Sequence, residues 1–396
     1  MALTKLTKNL IDGTFGTEWV STIQTSNFTA VAGKGYFVNT TSAEITVALP
    51  AGVVGNEVII QDYAGTFATN KVIFASNGSE KIQGSTDDFE NNTNNSTINL
   101  VYQDSTKGWT ANNIVVYAPS TAVNYLIVAG GGAGGGHINT NYGGGGGAGG
   151  YLTGTESGVI AGTNYLITVG AGATSSTNGN NSQAFSTTTT GGGGGGWYQN
   201  SQPADSIGKD GGSGGGSASG WAGSGMPPFP GGSGVPGQGN DGGETNNSGG
   251  YQSAGGGGAG AAGANVSGTG GAGGAGGVGL SSTITGSSVF YAGGGGGSGY
   301  NGAGGAGGNG GGGDGASYNP TVGPADPGTP NTGGGGGGSM GALGAGGNGG
   351  SGIVVLSYPS TFTLTNPGGG LVLSTATVGA NKVTTFTGGT GDIQLN

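Results

Sequence analysis

The chain has 396 residues, 106 of them glycine, no cysteine, and a net charge of −10 carried by 18 acidic and 8 basic side chains. All the basic residues are lysines and they form no basic cluster, which excludes nucleic-acid binding by phosphate neutralisation and docking on anionic membranes. Disulfide and thiolate chemistry are excluded too, and 32% hydrophobic residues with only 7% charged do not fit a disordered chain.

Residues 1–118 predict a small all-β module. Met1–Trp19 has neither the apolar core nor the cleavage site of a signal peptide, and no stretch of the chain approaches the ~18 consecutive apolar residues of a membrane helix. Short segments rich in Val, Ile and aromatics follow, at Tyr36–Val38, Ile45–Leu49, Glu57–Gln61, Lys71–Ala75, Thr97–Tyr102 and Asn113–Tyr117. Pro50–Gly55, Asn77–Gly78 and Asn91–Asn95 supply turns between them.

A glycine-rich block then runs to residue 352. With 10 glycines before residue 119 and 7 after residue 352, the other 89 of the 106 lie inside it. Two apolar strands frame the block, Tyr125–Ala129 and Ile353–Tyr358, and a third, Tyr165–Val169, follows the first glycine excursion. The simplest arrangement pairs these strands in one sheet. Past residue 358 the strand pattern returns at Thr361–Thr365, Leu371–Ser374 and Lys382–Thr387. The expected domains are 1–118, 119–358 and 359–396, the last a short C-terminal β tail.

Glycine runs such as Gly143–Gly147, Gly191–Gly196 and Gly333–Gly338 read blandly as flexible linker. Ordering them costs more entropy than ordering any other residue. A lattice of polyproline-II-type helices supplies the compensation, because three residues per turn aim the free N–H and C=O groups at neighbouring helices. A surrounded helix has no room for a Cβ and must be pure glycine, whereas an edge helix tolerates one larger residue per turn. Both signatures are present, as pure runs and as GGA, GGN and GGS units. Collagen is excluded by the 13 prolines and the missing Gly-X-Y period. The fold class expected is therefore mainly β with a central polyglycine-II domain.

Catalytic and metal motifs fail on inspection. The single histidine, His137, lies in a glycine loop and reads as a surface residue rather than a triad member. Asp87, Asp88 and Glu90 sit in a solvated turn, and Asp241, Glu244 and Asp314 imitate calcium repeats without repeating. No enzyme activity, cofactor or metal is expected. What remains is a set of aromatic and polar inserts between glycine tracts, carrying His137, Tyr142, Trp197, Tyr198, Trp221, Met226, Phe229, Tyr251 and Tyr318. Exposed aromatics on loops held by a rigid base compose a recognition surface, and an aromatic face beside Asn, Gln and Asp suits carbohydrate. The competing reading is that each aromatic only caps the lattice edge.

Tyr125–Gly136 (YLIVAGGGAGGG), Gly143–Tyr151 (GGGGGAGGY) and Ser351–Pro359 (SGIVVLSYP) resemble the glycine-rich modules of bacteriophage tail-fibre proteins. The alternation of tracts with aromatic inserts is similar to the distal adhesins of T-even-type long tail fibres. Phe28–Val38, Asp62–Phe67 and Val101–Trp109 look like a β-module recurrent in phage fibres. This resemblance implies a virion fibre protein, assembled in the host cytoplasm and exposed outside the cell. It implies binding to a host cell-surface glycan or outer-membrane protein through the nine insert residues. It also implies contacts with other tail or fibre proteins, and a homotrimer formed through the N-terminal module. Two other expectations stay open: a capsid-decorating or other structural virion fibre, and an extracellular matrix or ice-binding protein.

Overall fold

The computed structural model describes residues 17–116, 120–136, 142–198, 203–219, 228–246, 251–267, 271–318, 323–341 and 344–396. They divide into two compact units, Met1–Pro119 and Ser120–Asn396.

The first unit contains β1 (Glu18–Gln24), β2 (Phe28–Thr29), β3 (Lys34–Val38), β4 (Ile45–Ala48), β5 (Glu57–Asp62), β6 (Val72–Ala75), β7 (Phe89–Asn91), β8 (Ser96–Asp104) and β9 (Gly108–Val116). Two sheets result, ordered β1-β3-β5-β8-β9 and β2-β4-β6-β7. The first six strands alternate between the sheets and pair in parallel within each. The chain thus winds in coils until β7, β8 and β9 finish the sheets antiparallel. Period-two alternation fixes the inward face: β5 buries Val58, Ile60 and Asp62, and β8 buries Ile98, Leu100 and Tyr102. These pack with Phe74 and Trp109 in one core. Asp62 is tolerated there because its carboxylate accepts N–H bonds from Gly65, Thr66, Phe67 and Asn95.

The second unit contains β10 (Ser120–Val128), β11 (Tyr151–Ile160), β12 (Tyr165–Thr168), β13 (Ser182–Ala184), β14 (Thr187–Thr189), β15 (Leu280–Ser282), β16 (Val289–Tyr291), β17 (Ile353–Pro359), β18 (Leu364–Thr365), β19 (Leu371–Val378) and β20 (Asn381–Leu395). No α-helix is present among the described residues; a 3-10 turn spans Pro203–Ser206. Seven strands follow one antiparallel path, β11-β10-β17-β20-β12-β13-β14. The path curls until β13 packs against β10 and β17, and β14 against β10, leaving a nearly closed, barrel-like wall.

Both faces of its centre are covered, which explains the uninterrupted apolar runs of β10 and β17. Ile127, Val354, Leu356 and Tyr358 point into the curl with Phe386 and Ile393. Leu126, Val128, Ile353 and Val355 face the other way, onto Ala148, Tyr291 and Ala292.

Residues 359–396 are therefore not a separate tail. The β20 strand lies between β17 and β12, so two of the three framing strands meet only through it. The expected domain boundary at 358 is corrected accordingly: the tail closes the sheet from which the glycine block grows.

Inside the block the tracts form neither strands nor α-helices, yet they are buried and bonded with a three-residue period. In tract 143–150, Gly143, Gly146 and Gly149 donate to the carbonyls of Ser339, Gly336 and Gly333. Gly144, Gly147 and Gly150 donate to Gly196, Gly193 and Thr190, while Gly145 and Ala148 donate to Ala254 and Gly257. The carbonyls of the same tract accept from Ser298 and Gly295, from Gly135 and Gly132, and from Gly216 and Ser213. This tract therefore has six neighbouring segments, three receiving its bonds and three supplying them.

None of Gly143–Gly150 needs a positive φ. Glycine is required here for space. A Cβ on Gly145, Gly146 or Gly147 would stand 2.0–2.2 Å from a neighbour's carbonyl oxygen. Positive φ is reserved for places where a tract begins or reverses, such as Gly333 (φ 68) and Gly310–Gly311 (φ 107 and 94).

At the block's edge, polar side chains replace missing neighbours. Asn178 and Asn181 accept the N–H groups of Gly194 and Gly191. Asp210, Asp241 and Asp314 accept those of Ser233, Gly234 and Gly307. The Asp and Asn residues scattered through the tracts thus satisfy backbone donors that would otherwise be unpaired.

Candidate functional site

Successive tracts alternate in direction, and their register sorts the connections. One end of the block adjoins the sheet: tract 129–136 leaves β10, and tract 143–150 enters β11. At the opposite pole a continuous set of bonds links the tract ends. Tyr198 donates to Tyr142, Gly143 to Ser339, Ser298 to Gly143 and Ser253 to Ser298. Tyr300 donates to Gly271 and Tyr318 to Gly299, while Phe229 and Thr245 bond each other. Thr245 in turn meets Ser217 and Ala218 through its hydroxyl. The residues flanking segments 137–141, 199–202, 220–227, 247–250, 268–270, 319–322 and 342–343 all belong to this pole.

Three of the expected site residues are brought together here. Tyr142 and Tyr251 have ring centroids 5.1 Å apart, and Tyr300 joins them at 6.4 and 4.8 Å. Tyr318 stacks on Tyr300 at 5.5 Å with an interplanar angle of 10°. Adjacency of the parent tracts dictates this. Each tyrosine stands within a few residues of a tract that bonds to the next, so Ser253, Ser298 and Gly143 set the spacing of Tyr251, Tyr300 and Tyr142. Burial, reinforced by the neighbouring phenols, pushes the Tyr142 hydroxyl well above the ordinary tyrosine value, so it stays neutral. Tyr300 is the residue sequence reasoning left out; its place one residue beyond Gly299 was the signal, since Tyr142 and Tyr318 flank tracts in the same way.

The other expected residues behave differently. Trp197 is half-buried, its N–H bonded to Asp205. Tyr198 is 2% and Phe229 8% exposed, so neither presents a free face; both side chains pack inside the tract ends. This corrects the expectation of exposed aromatics at those two positions, and burying a large ring at a tract end is the physical reason. His137, Trp221 and Met226 lie outside the described residues.

Among the described residues no group of three or more His, Asp or Glu is placed to hold a metal ion. Asp241 and Asp314 serve as the backbone acceptors described above. Glu90 pairs with Lys71 at 2.7 Å on the first unit's surface, and Asp87 accepts from Ser85.

A family model described as a glycine-rich domain matches residues 105–359. No curated protein matches the chain.

Proposed function

We propose that this chain, a member of that glycine-rich domain family, is a receptor-binding fibre protein of a bacteriophage virion whose glycine block holds a recognition pole. In this reading the tracts are polyglycine-II helices packed side by side, supported by the three-residue bonding period and the six neighbours of tract 143–150. The block is a scaffold without chemistry of its own. Its ligand is a host cell-surface glycan or outer-membrane protein, and neighbouring virion proteins hold its other end.

One observation carries the reading. The alternating tracts gather Tyr142, Tyr251, Tyr300 and Tyr318 at one pole, while the opposite end adjoins the sheet. A purely structural rod gives no reason for that asymmetry. Recognition loops on a rigid base do, because preorganised loops lose little entropy on binding.

The test exchanges segments 137–142, 220–227 and 318–322, which include Tyr142 and Tyr318, for Gly-Ser sequences of equal length and measures adsorption of the purified protein to host cells. Adsorption should be lost while the melting temperature stays close to the parent's. Unchanged adsorption contradicts a recognition pole and leaves the structural-fibre reading. Sedimentation of the parent protein in the same experiment checks its state, for which a homotrimer is expected. Exposed Trp19, Val53, Val54 and Tyr63 of the first unit suit such association; a monomer rejects it.

A further inference from the structure

We propose that Tyr142, Tyr251, Tyr300 and Tyr318 form a binding platform for a neutral, hexose-containing saccharide. The proposal rests on the reading of this pole as the recognition surface and names the ligand class. Four rings from four different tracts converge within centroid distances of 4.8–6.4 Å. Tyr318 is 48% exposed and lies flat on Tyr300, which presents one ring face outward while its other face is supported. Beneath them Tyr251 and Tyr142 are only half-exposed and pack on one another, so the outer pair cannot sink into the block.

A lattice edge could be capped by one aromatic per tract, each covering its own tract. These rings instead stack across tract boundaries, and the outermost keeps nearly half its surface in water. A flat ring face fits the C–H face of a pyranose, whose equatorial hydroxyls then reach sideways. The phenol hydroxyls at the ring edges supply that polar rim. Tyrosine is suited to such a surface because it offers large contact area at the cost of ordering two torsions.

Charge selects the ligand class. Residues 137–148, 247–258, 294–303 and 315–325, which bracket the four tyrosines, contain no Asp, Glu, Lys or Arg. An anionic polysaccharide or a phosphorylated headgroup would meet no Lys or Arg from these segments. A charged protein epitope would lose hydration without gaining a partner. A neutral sugar forfeits nothing of this kind.

The experiment uses the intact chain and three immobilised neutral polysaccharides, dextran, mannan and galactan, with an anionic polysaccharide as control. Host cells treated with periodate or with protease provide the second arm. Retention on at least one neutral polysaccharide is expected, insensitive to salt because no ion pair is involved. Binding to cells should be lost after periodate and kept after protease. Tyr318→Ala should weaken binding at least about tenfold with an unchanged melting temperature, whereas Tyr318→Trp should retain it. Tyr300→Phe, which keeps the ring, should also bind. No retention on any neutral polysaccharide, combined with cell binding that resists periodate and is destroyed by protease, overturns the saccharide while leaving the recognition pole standing. A segment exchange that leaves adsorption intact removes the pole itself. Full binding by a folded Tyr318→Ala variant overturns the platform.

Discussion

Gly335→Val should unfold the glycine block or lower its stability by more than about 4 kcal/mol, a loss reserved for buried disruption. Gly335 is buried mid-tract, and a Cβ there would stand 2.0 Å from the Gly146 carbonyl oxygen and 2.9 Å from the Gly295 nitrogen. Those two atoms are themselves hydrogen-bonded to each other at 2.9 Å. Gly335 also donates to Gly293 and accepts from Gly313. Forcing the segments apart leaves several groups unpaired, at about 1–3 kcal/mol each. The control is Ala148→Gly. Ala148 is equally buried and equally mid-tract, but its methyl packs among Val128, Tyr151 and Tyr291. Losing it should cost only about 1–2 kcal/mol from the methyl burial and the added backbone entropy. Thermal unfolding of both variants measures the contrast. Equal melting temperatures would mean that glycine is there for flexibility and not for space.

Phe386→Ala should cost about 3–5 kcal/mol, the usual range for emptying a buried phenylalanine site. Phe386 is fully buried in the curl, opposite Val354 on β17. Its strand is the link between β17 and β12, so ending the chain before Asn381 should have a larger effect still. Without β20 the path divides into β11-β10-β17 and β12-β13-β14. The face of β17 that carries Val354 and Leu356 then loses its cover, and the glycine block loses the wall from which it extends. Circular dichroism and a melting curve of the shortened chain check this. A shortened chain that melts like the parent would make residues 381–396 an appendage.

These two sites differ in how far the sequence announces them. The β3, β5 and β8 strands are legible because their alternation is clean and local; the parallel winding of the first unit is not, since nothing in Val58 or Ile60 says which edge their strand pairs with. The β11 strand is hidden because TGTESG reads as a turn, although an exposed edge strand tolerates such residues. The first half of β20 is legible as Lys382–Thr387, but its second half is hidden for a related reason: Gly388, Gly389 and Gly391 interrupt the pattern, and Gly389 adopts φ 94 at the irregularity where Val169 and Leu371 approach. The need for glycine in Gly143–Gly147 was readable from the unbroken runs. Which tract neighbours which was not, because identical residues carry no register. The tyrosine cluster follows from that register alone, so its members could be named singly but not assembled. Tyr198 and Phe229 show the converse, having the right residue type at the right kind of position with their faces buried.

Amide hydrogen exchange followed by mass spectrometry distinguishes glycine tracts that form one hydrogen-bonded body from a set of flexible tethers. Peptides covering 143–150, 293–299 and 333–339 should exchange as slowly as those covering β17, since their N–H groups are buried and bonded to neighbouring carbonyls. Exchange of these peptides at the rate of an unstructured chain, while β17 stays protected, would mean that the tracts are flexible tethers.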